Sequence, residues 1–214
     1  MLRRMAHPVL TVSGLKGGVG KTSVAINLAA YWSDTRKVLL IDADTNGSAT
    51  KWHGRSDGQL AGHCVPIQQA PMAMAKPWDL VIVDTAGGSR DEQITYAEGS
   101  NFVVCPCQPA ASSIEQVMDL ATLIQATGTP FGVLLTMADE RRKMDAIKAR
   151  EVLERVGLPV LKSQITSLSA WPKAEAAGVA VKDARTDAGR PDPGASRAWD
   201  QVAELAAEIE ARIK

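Results

Sequence analysis

Three cysteines in 214 residues are too few for a disulfide framework, and Cys105-Pro106-Cys107 alone lacks the four ligands of a structural metal site. A surplus of charge is missing as well. Lys plus Arg number 24 and Asp plus Glu number 24, which excludes a strongly basic nucleic-acid coat and an acidic disordered tail. Any anion binding must be local. No stretch approaches the roughly 18 uninterrupted apolar residues of a membrane span. The run after Arg3 and Arg4 is short and broken by His7-Pro8, unlike a signal peptide. His7, His53 and His63 have no metal-ligand spacing, and Trp32, Trp52, Trp78, Trp171 and Trp199 are too scattered for a base-stacking platform. With 45% apolar and 22% charged residues, the expectation is one soluble globular domain over 1–214 in a reducing cytoplasm.

What the chain does have is a repeating order of short apolar runs and helical stretches. Residues 9–13, 38–42, 80–84, 102–106 and 131–136 are rich in Val, Ile and Leu without polar alternation, the pattern of strands buried on both faces. Helical patterns at 21–33, 112–126 and 141–156 are long enough for crossovers. The order predicts an α/β fold: a doubly wound, mostly parallel sheet with helices on both faces. Residues 54–77 read as loops with one short strand near 64–67, and 183–197 as a surface loop. The last helix, about 197–213, carries one apolar stripe and an acidic excess, so it is expected to dock on its own domain.

Between the first strand and first helix stands Gly14-Leu15-Lys16-Gly17-Gly18-Val19-Gly20-Lys21-Thr22, the full phosphate-loop pattern in the context it requires. Glycines let successive backbone N–H groups turn inward, and the helix N-terminus adds its partial positive charge. Gly17, Gly18, Val19, Gly20, Lys21, Thr22 and Ser23 are the expected nucleotide-binding residues. Lys21 would reach the β- and γ-phosphates, and the Thr22 hydroxyl would bind Mg²⁺. Asp84 ends the apolar strand Leu80-Val81-Ile82-Val83 in the Walker B manner and would hold the ion through a water. Its continuation Thr85-Ala86-Gly87 gives D-x-x-G spacing, so the Gly87 N–H is a candidate γ-phosphate donor.

The second lysine is the more informative. The block KGGVGKT, with Lys16 five residues before Lys21, resembles the deviant Walker A motif of the ParA/MinD family of ATPases, and the resemblance runs from Leu10 to about Lys182. It implies ATP as substrate and Mg²⁺ as cofactor, a homodimer closed by ATP, and Lys16 reaching the nucleotide of the partner subunit as a catalytic group. Residues 38–50 look like the family's second strand and switch I, although Thr45-Asn46 stands where the family usually has Pro-Gln. By that resemblance Asp42 lies near the Mg²⁺ shell, Asp44 orients or deprotonates the attacking water, and Thr136 and Met137 lie near adenine with residues 169–173 closing over it. A guanine-reading alternative rests on Thr136-Met137-Ala138-Asp139, which matches [NT]-K-x-D except for Met in place of Lys.

Residues 141–197 hold 12 basic and 7 acidic side chains. In a ParA-like dimer two such patches would grip duplex phosphates without reading sequence. The resemblance is closest to small ParA-type partition ATPases without an N-terminal DNA-reading domain. It implies an ATP-dependent sandwich dimer on the nucleoid that binds DNA nonspecifically and positions a plasmid, chromosome or protein cargo. An adaptor of ParB type would stimulate hydrolysis. Alternatives are a MinD-like membrane-cycling ATPase, disfavoured by the acidic last helix, and a metabolic ligase of the dethiobiotin-synthetase type. A nitrogenase-type iron protein does not suit Cys105 and Cys107, which read as small packing residues.

Overall fold

In the computed structural model, which describes residues 7–58, 60 and 62–213, seven strands form a single sheet. They are β1 (Val9–Val12), β2 (Val38–Ala43), β3 (His63–Pro66), β4 (Leu80–Thr85), β5 (Phe102–Cys107), β6 (Phe131–Ala138) and β7 (Val160–Thr166). Their spatial order is β3-β2-β4-β1-β5-β6-β7, and each neighbouring pair is parallel. Eight helices connect them: α1 (Lys21–Ser33), α2 (Ser48–Gly54), α3 (Ala70–Met74), α4 (Arg90–Glu98), α5 (Ala111–Thr127), α6 (Lys143–Arg155), α7 (Ala170–Ala177) and α8 (Ala195–Glu210). The doubly wound α/β sheet expected from the sequence is the architecture found.

Period-two side-chain alternation divides the inner strands among three apolar clusters, one of them formed by Val9, Leu39, Ile41, Val81 and Val83 with α3. Leu10, Val12, Leu40, Ile82, Val104 and Leu134 face a large cluster shared with α1 and α8. Val103, Cys105, Cys107, Val133 and Leu135 face the opposite way, against α5 and α6. Both sides are covered, so these strands read as unbroken apolar runs. Cys105 and Cys107 are interior residues, and burial pushes the Cys107 thiol up to about 11. α8 lays Ala198, Val202, Leu205 and Ile209 into the first core. Among the described residues no helix is long and apolar enough to cross a membrane.

Four elements, α2, α4, α7 and β7, lie where the sequence pattern announces none. The region 54–77 contains α3 as well as β3, and the loop before α8 is pinned by an antiparallel bridge between Arg185 and Pro191. β7 is an edge strand with Lys162, Ser163 and Gln164 at its centre and register shifts against β6, so it lacks the apolar run of the inner strands.

The outer edge of β7 is closed by side chains. Glu208 of α8 accepts from the backbone N–H groups of Lys162 and Ser163, both at 2.9 Å, and Gln201 accepts from Thr166 N at 3.0 Å. Arg150 of α6 donates to Leu161 O at 2.7 Å. Burial alone would raise the Glu208 carboxyl; the Ser163 and Lys162 amides, the Ser163 hydroxyl and Arg212 together outweigh it and hold the group below the ordinary glutamate value. A depressed carboxyl contributes stability above its unfolded pKa and loses it as pH falls through the folded one. Glu208→Gln is therefore expected to cost about 1–2 kcal/mol at neutral pH. Urea unfolding should show the gap to the parent shrinking as pH falls below about 4.5.

Candidate nucleotide site

The site lies at the carboxyl ends of the central strands, beside β1, where the chain turns from building one half of the sheet to the other. Gly20, at φ 90°, turns the loop after β1 into α1, which has no side-chain cap on its first turn. Its leading N–H groups stay open to an anion. The Lys21 side chain is buried and its Nζ donates to Lys16 O at 2.8 Å, so the ammonium lies back across the loop. Burial lowers the Lys21 pKa, opposed by the charges of Asp84 and Asp44. Lys16 goes the other way: its Nζ donates to Ser112 Oγ of α5 at 3.3 Å, in an exposed position.

A cleft of about 440 Å³ opens above the loop, lined by Gly17, Gly18, Gly20, Lys21, Thr22 and Ser23. Asp44, Thr45 and Asn46 form one wall, Ala86 and Gly87 another. A Cβ on Gly87 would stand 2.8 Å from Leu15 O, so only glycine lets the loop after β4 press against the phosphate loop. Gln93 of α4 fixes that contact from below. It accepts from the Ser13 hydroxyl and donates through Nε2 to Ala86 O at 3.3 Å.

The three acidic residues differ in their settings. Asp42 and Asp84 are register partners on β2 and β4, both buried. The Asp42 carboxylate is already engaged, accepting from Asp44 N at 3.1 Å and Thr50 N at 2.7 Å, which shapes the loop carrying Asp44. It does not line the phosphate cleft itself but an adjoining one that shares Asp44 and Thr45 with it. Asp44 lines the cleft; its Oδ1 accepts from Asn46 N at 2.8 Å. Both Asp84 carboxylate oxygens are buried and have no hydrogen-bond partner among the described residues. Burial raises its pKa to about 7, with the Thr22 hydroxyl and Lys21 pulling it down and Asp42 and Asp44 adding to the rise. A buried carboxylate with two open oxygens beside a threonine hydroxyl is the hard oxygen donor set that Mg²⁺ takes. The residues fit the ion.

Next to the phosphate cleft is a smaller, more apolar one of about 130 Å³. Val24, Thr136, Met137, Ile165, Leu168, Trp171 and Pro172 line it, and Gly20, Ser23 and Met137 line both clefts. Thr136 donates its hydroxyl to Val19 O at 2.8 Å, tying β6 to the phosphate loop; Val19 itself is buried and lines neither cleft. Met137 adopts φ 52°, in the left-handed region that a non-glycine residue seldom occupies. Gln108, just past β5, donates through Nε2 to Gly18 O and to Met137 Sδ, each at 2.9 Å. No motif flags Gln108; its place at the carboxyl end of a parallel strand is the signal for it. Asp139 accepts from Arg141 N and lines a different groove, between α6 and α8. The side chain on which guanine reading depends therefore lies outside this cleft.

Residues 10–181 match the model of the CobQ/CobB/MinD/ParA nucleotide binding domain. The maintenance of carboxysome distribution protein A of Gloeobacter kilaueensis is 32% identical over 185 residues, covering 81% of this chain and 83% of that protein. The chromosome-partitioning ATPase Soj of Thermus thermophilus is 31% identical over 66% of this chain and 73% of its own. In three dimensions the ATP complex of a Cyanothece McdA variant superposes with a TM-score of 0.76 at 15% identity, covering 95% of this chain and 96% of that one. A phosphate loop with two oppositely directed lysines, an unpartnered buried aspartate and a match over most of the chain lead to one conclusion: this protein belongs to the CobQ/CobB/MinD/ParA nucleotide-binding family.

Proposed function

We propose that the chain is a ParA-like ATPase that closes into a sandwich dimer on ATP and positions a cargo, with an adaptor speeding hydrolysis. The observation that carries this reading is the divergence of the two lysines. Lys21 folds over its own loop, whereas Lys16 is turned outward to Ser112, free to serve a nucleotide held by a second copy. Chemistry of this kind depends on positioning and charge stabilisation. The phosphate-loop amides and Lys21 hold the β- and γ-phosphates, and Asp44 orients the attacking water and takes its proton. Mg²⁺, held by the Thr22 hydroxyl and Asp84, would neutralise phosphate charge when bound. Gly87 brings a backbone N–H to the phosphate end, so loss of the γ-phosphate would release that loop.

ATP is favoured over GTP because Asp139 caps a turn outside the small cleft. The relatives named for carboxysome distribution and chromosome partitioning support a positioning role over a metabolic ligase. A membrane-cycling role is disfavoured, because the apolar face of α8 is already packed into the core.

Nonspecific DNA is the proposed surface on which the dimer rests, and the basic region narrows to fewer residues than its composition offers. Arg150 is engaged with β7, Lys173 with Asp192 at 2.7 Å, and Lys182 with Asp34 and the Trp199 ring. Arg141, Lys143, Lys148 and Arg155 remain exposed around α6. The test is a gel shift on arbitrary duplex DNA. Retention should require ATP and disappear with added salt. Lys16→Ala should bind ATP yet lose both the dimer and the DNA retention. Retention without nucleotide, or an unchanged dimer in that variant, would contradict the reading.

A further inference from the structure

α7 runs alongside the junction of the two clefts and presents Trp171, Pro172 and Glu175 to them. Trp171, in its first turn, lines the small apolar cleft, and Glu175 lines the phosphate cleft. They are four residues apart on one helix, hence on the same face. A rise of about 1.5 Å per residue separates them by about 6 Å along the axis, close to the width of a pentose ring. The residues common to both clefts, Gly20, Ser23 and Met137, mark where a sugar joining base to phosphates would lie.

The chemistry at Glu175 is otherwise unexplained. Its side chain is exposed and makes no hydrogen bond or ion pair among the described residues. Its backbone, by contrast, is held in place: Glu175 O accepts from Arg55 Nη2 at 2.7 Å and Nε at 3.2 Å. A carboxylate on the wall of a cleft for a polyanion is repelled by the phosphates unless it meets a donor. Along the stretch between base and phosphates, the donors a nucleotide offers are its 2′- and 3′-hydroxyls. Carboxylates serve this purpose in dinucleotide folds, where an acidic residue accepts from the ribose 2′-hydroxyl.

We infer that Glu175 is a specificity-determining residue that accepts from the ribose hydroxyls and makes this protein select ribonucleotides over deoxyribonucleotides. The inference rests on the nucleotide-binding reading of the two clefts and adds to it the sugar. Trp171 and the apolar wall take the base, Lys21 and the loop amides take the phosphates, and α7 reads what lies between.

Titration calorimetry of the full chain with ATP, 2′-deoxy-ATP and 3′-deoxy-ATP tests it. The parent should bind ATP about tenfold more tightly than at least one deoxy analogue, the size of one charge-assisted hydrogen bond. Glu175→Ala should erase the preference by weakening ATP, and any analogue that keeps the contacted hydroxyl, while leaving the analogue that lacks it unchanged. Glu175→Gln, which keeps an acceptor oxygen, should restore part of the preference. A general loss of helix packing would instead weaken all three nucleotides alike. Equal binding of the three by the parent, or an unchanged preference in Glu175→Ala, overturns the inference while leaving nucleotide binding intact. A parent that binds no nucleotide overturns the reading of the clefts themselves.

Discussion

Lys21→Ala is expected to abolish ATP binding, lowering affinity by at least about two orders of magnitude, because it removes a charge-assisted hydrogen bond and the ammonium that offsets the site's own carboxylates. Asp84 and Asp44 both act electrostatically on Lys21, so without it a triphosphate would enter a cleft of net negative character. The loop amides would still point inward, since Gly20 sets the turn into α1 and Lys21 does not. The fold should survive, and circular dichroism should show parent-like helix content. Calorimetric titration checks the prediction; tight ATP binding by this variant would remove the phosphate-loop assignment.

Asp44→Ala is the second large effect, and it acts on a different step. One carboxylate oxygen accepts from Asn46 N, and Oδ2 has no partner among the described residues. That leaves an acceptor at the cleft for the proton of an attacking water. Removing such a group costs about 10²–10⁴ in rate, while the phosphate contacts that set ATP affinity are untouched. The variant should therefore accumulate as an ATP-bound dimer. Phosphate release measured beside sedimentation velocity separates the two parts of the claim. Asp44→Asn controls for the loop, because its side-chain oxygen can still accept from Asn46 N. A monomer at saturating ATP, or parent-like turnover, would contradict the role given to Asp44.

Much of this geometry was legible in the sequence because its signals are local. The expected helix at 21–33 coincides with α1, since a glycine in the left-handed region immediately before it fixes where the helix begins. The five inner strands were legible because burial on both faces leaves them mostly apolar, with the few polar residues buried too and most of them near the carboxyl ends that face the site. The phosphate side of the cleft is lined by residues that local signals mark: Lys21 and Thr22 open α1, and Asp44 and Gly87 lie just past the ends of β2 and β4.

The remainder was hidden for definite reasons. β7 has a polar centre because its partners are side chains of α6 and α8, a relation that no window of sequence contains. α4 is polar overall, although its Ser89–Glu92 capping box is a start signal that could have been read. The base side of the site depends on β7 and α7, so missing those elements also hid Glu175. Asp42 carries a role that motif reading does not show. Beside Asp84 in register, it also accepts from two backbone amides that shape the Asp44 loop.

The closed border of β7 bears on how copies of this molecule can associate. Amides already bound to Glu208 and Gln201 cannot template an incoming extended segment, so growth by annealing one sheet onto another is blocked on that flank. Higher-order assembly from that direction would have to use side-chain surfaces, whose contacts can be made and released without unravelling the sheet.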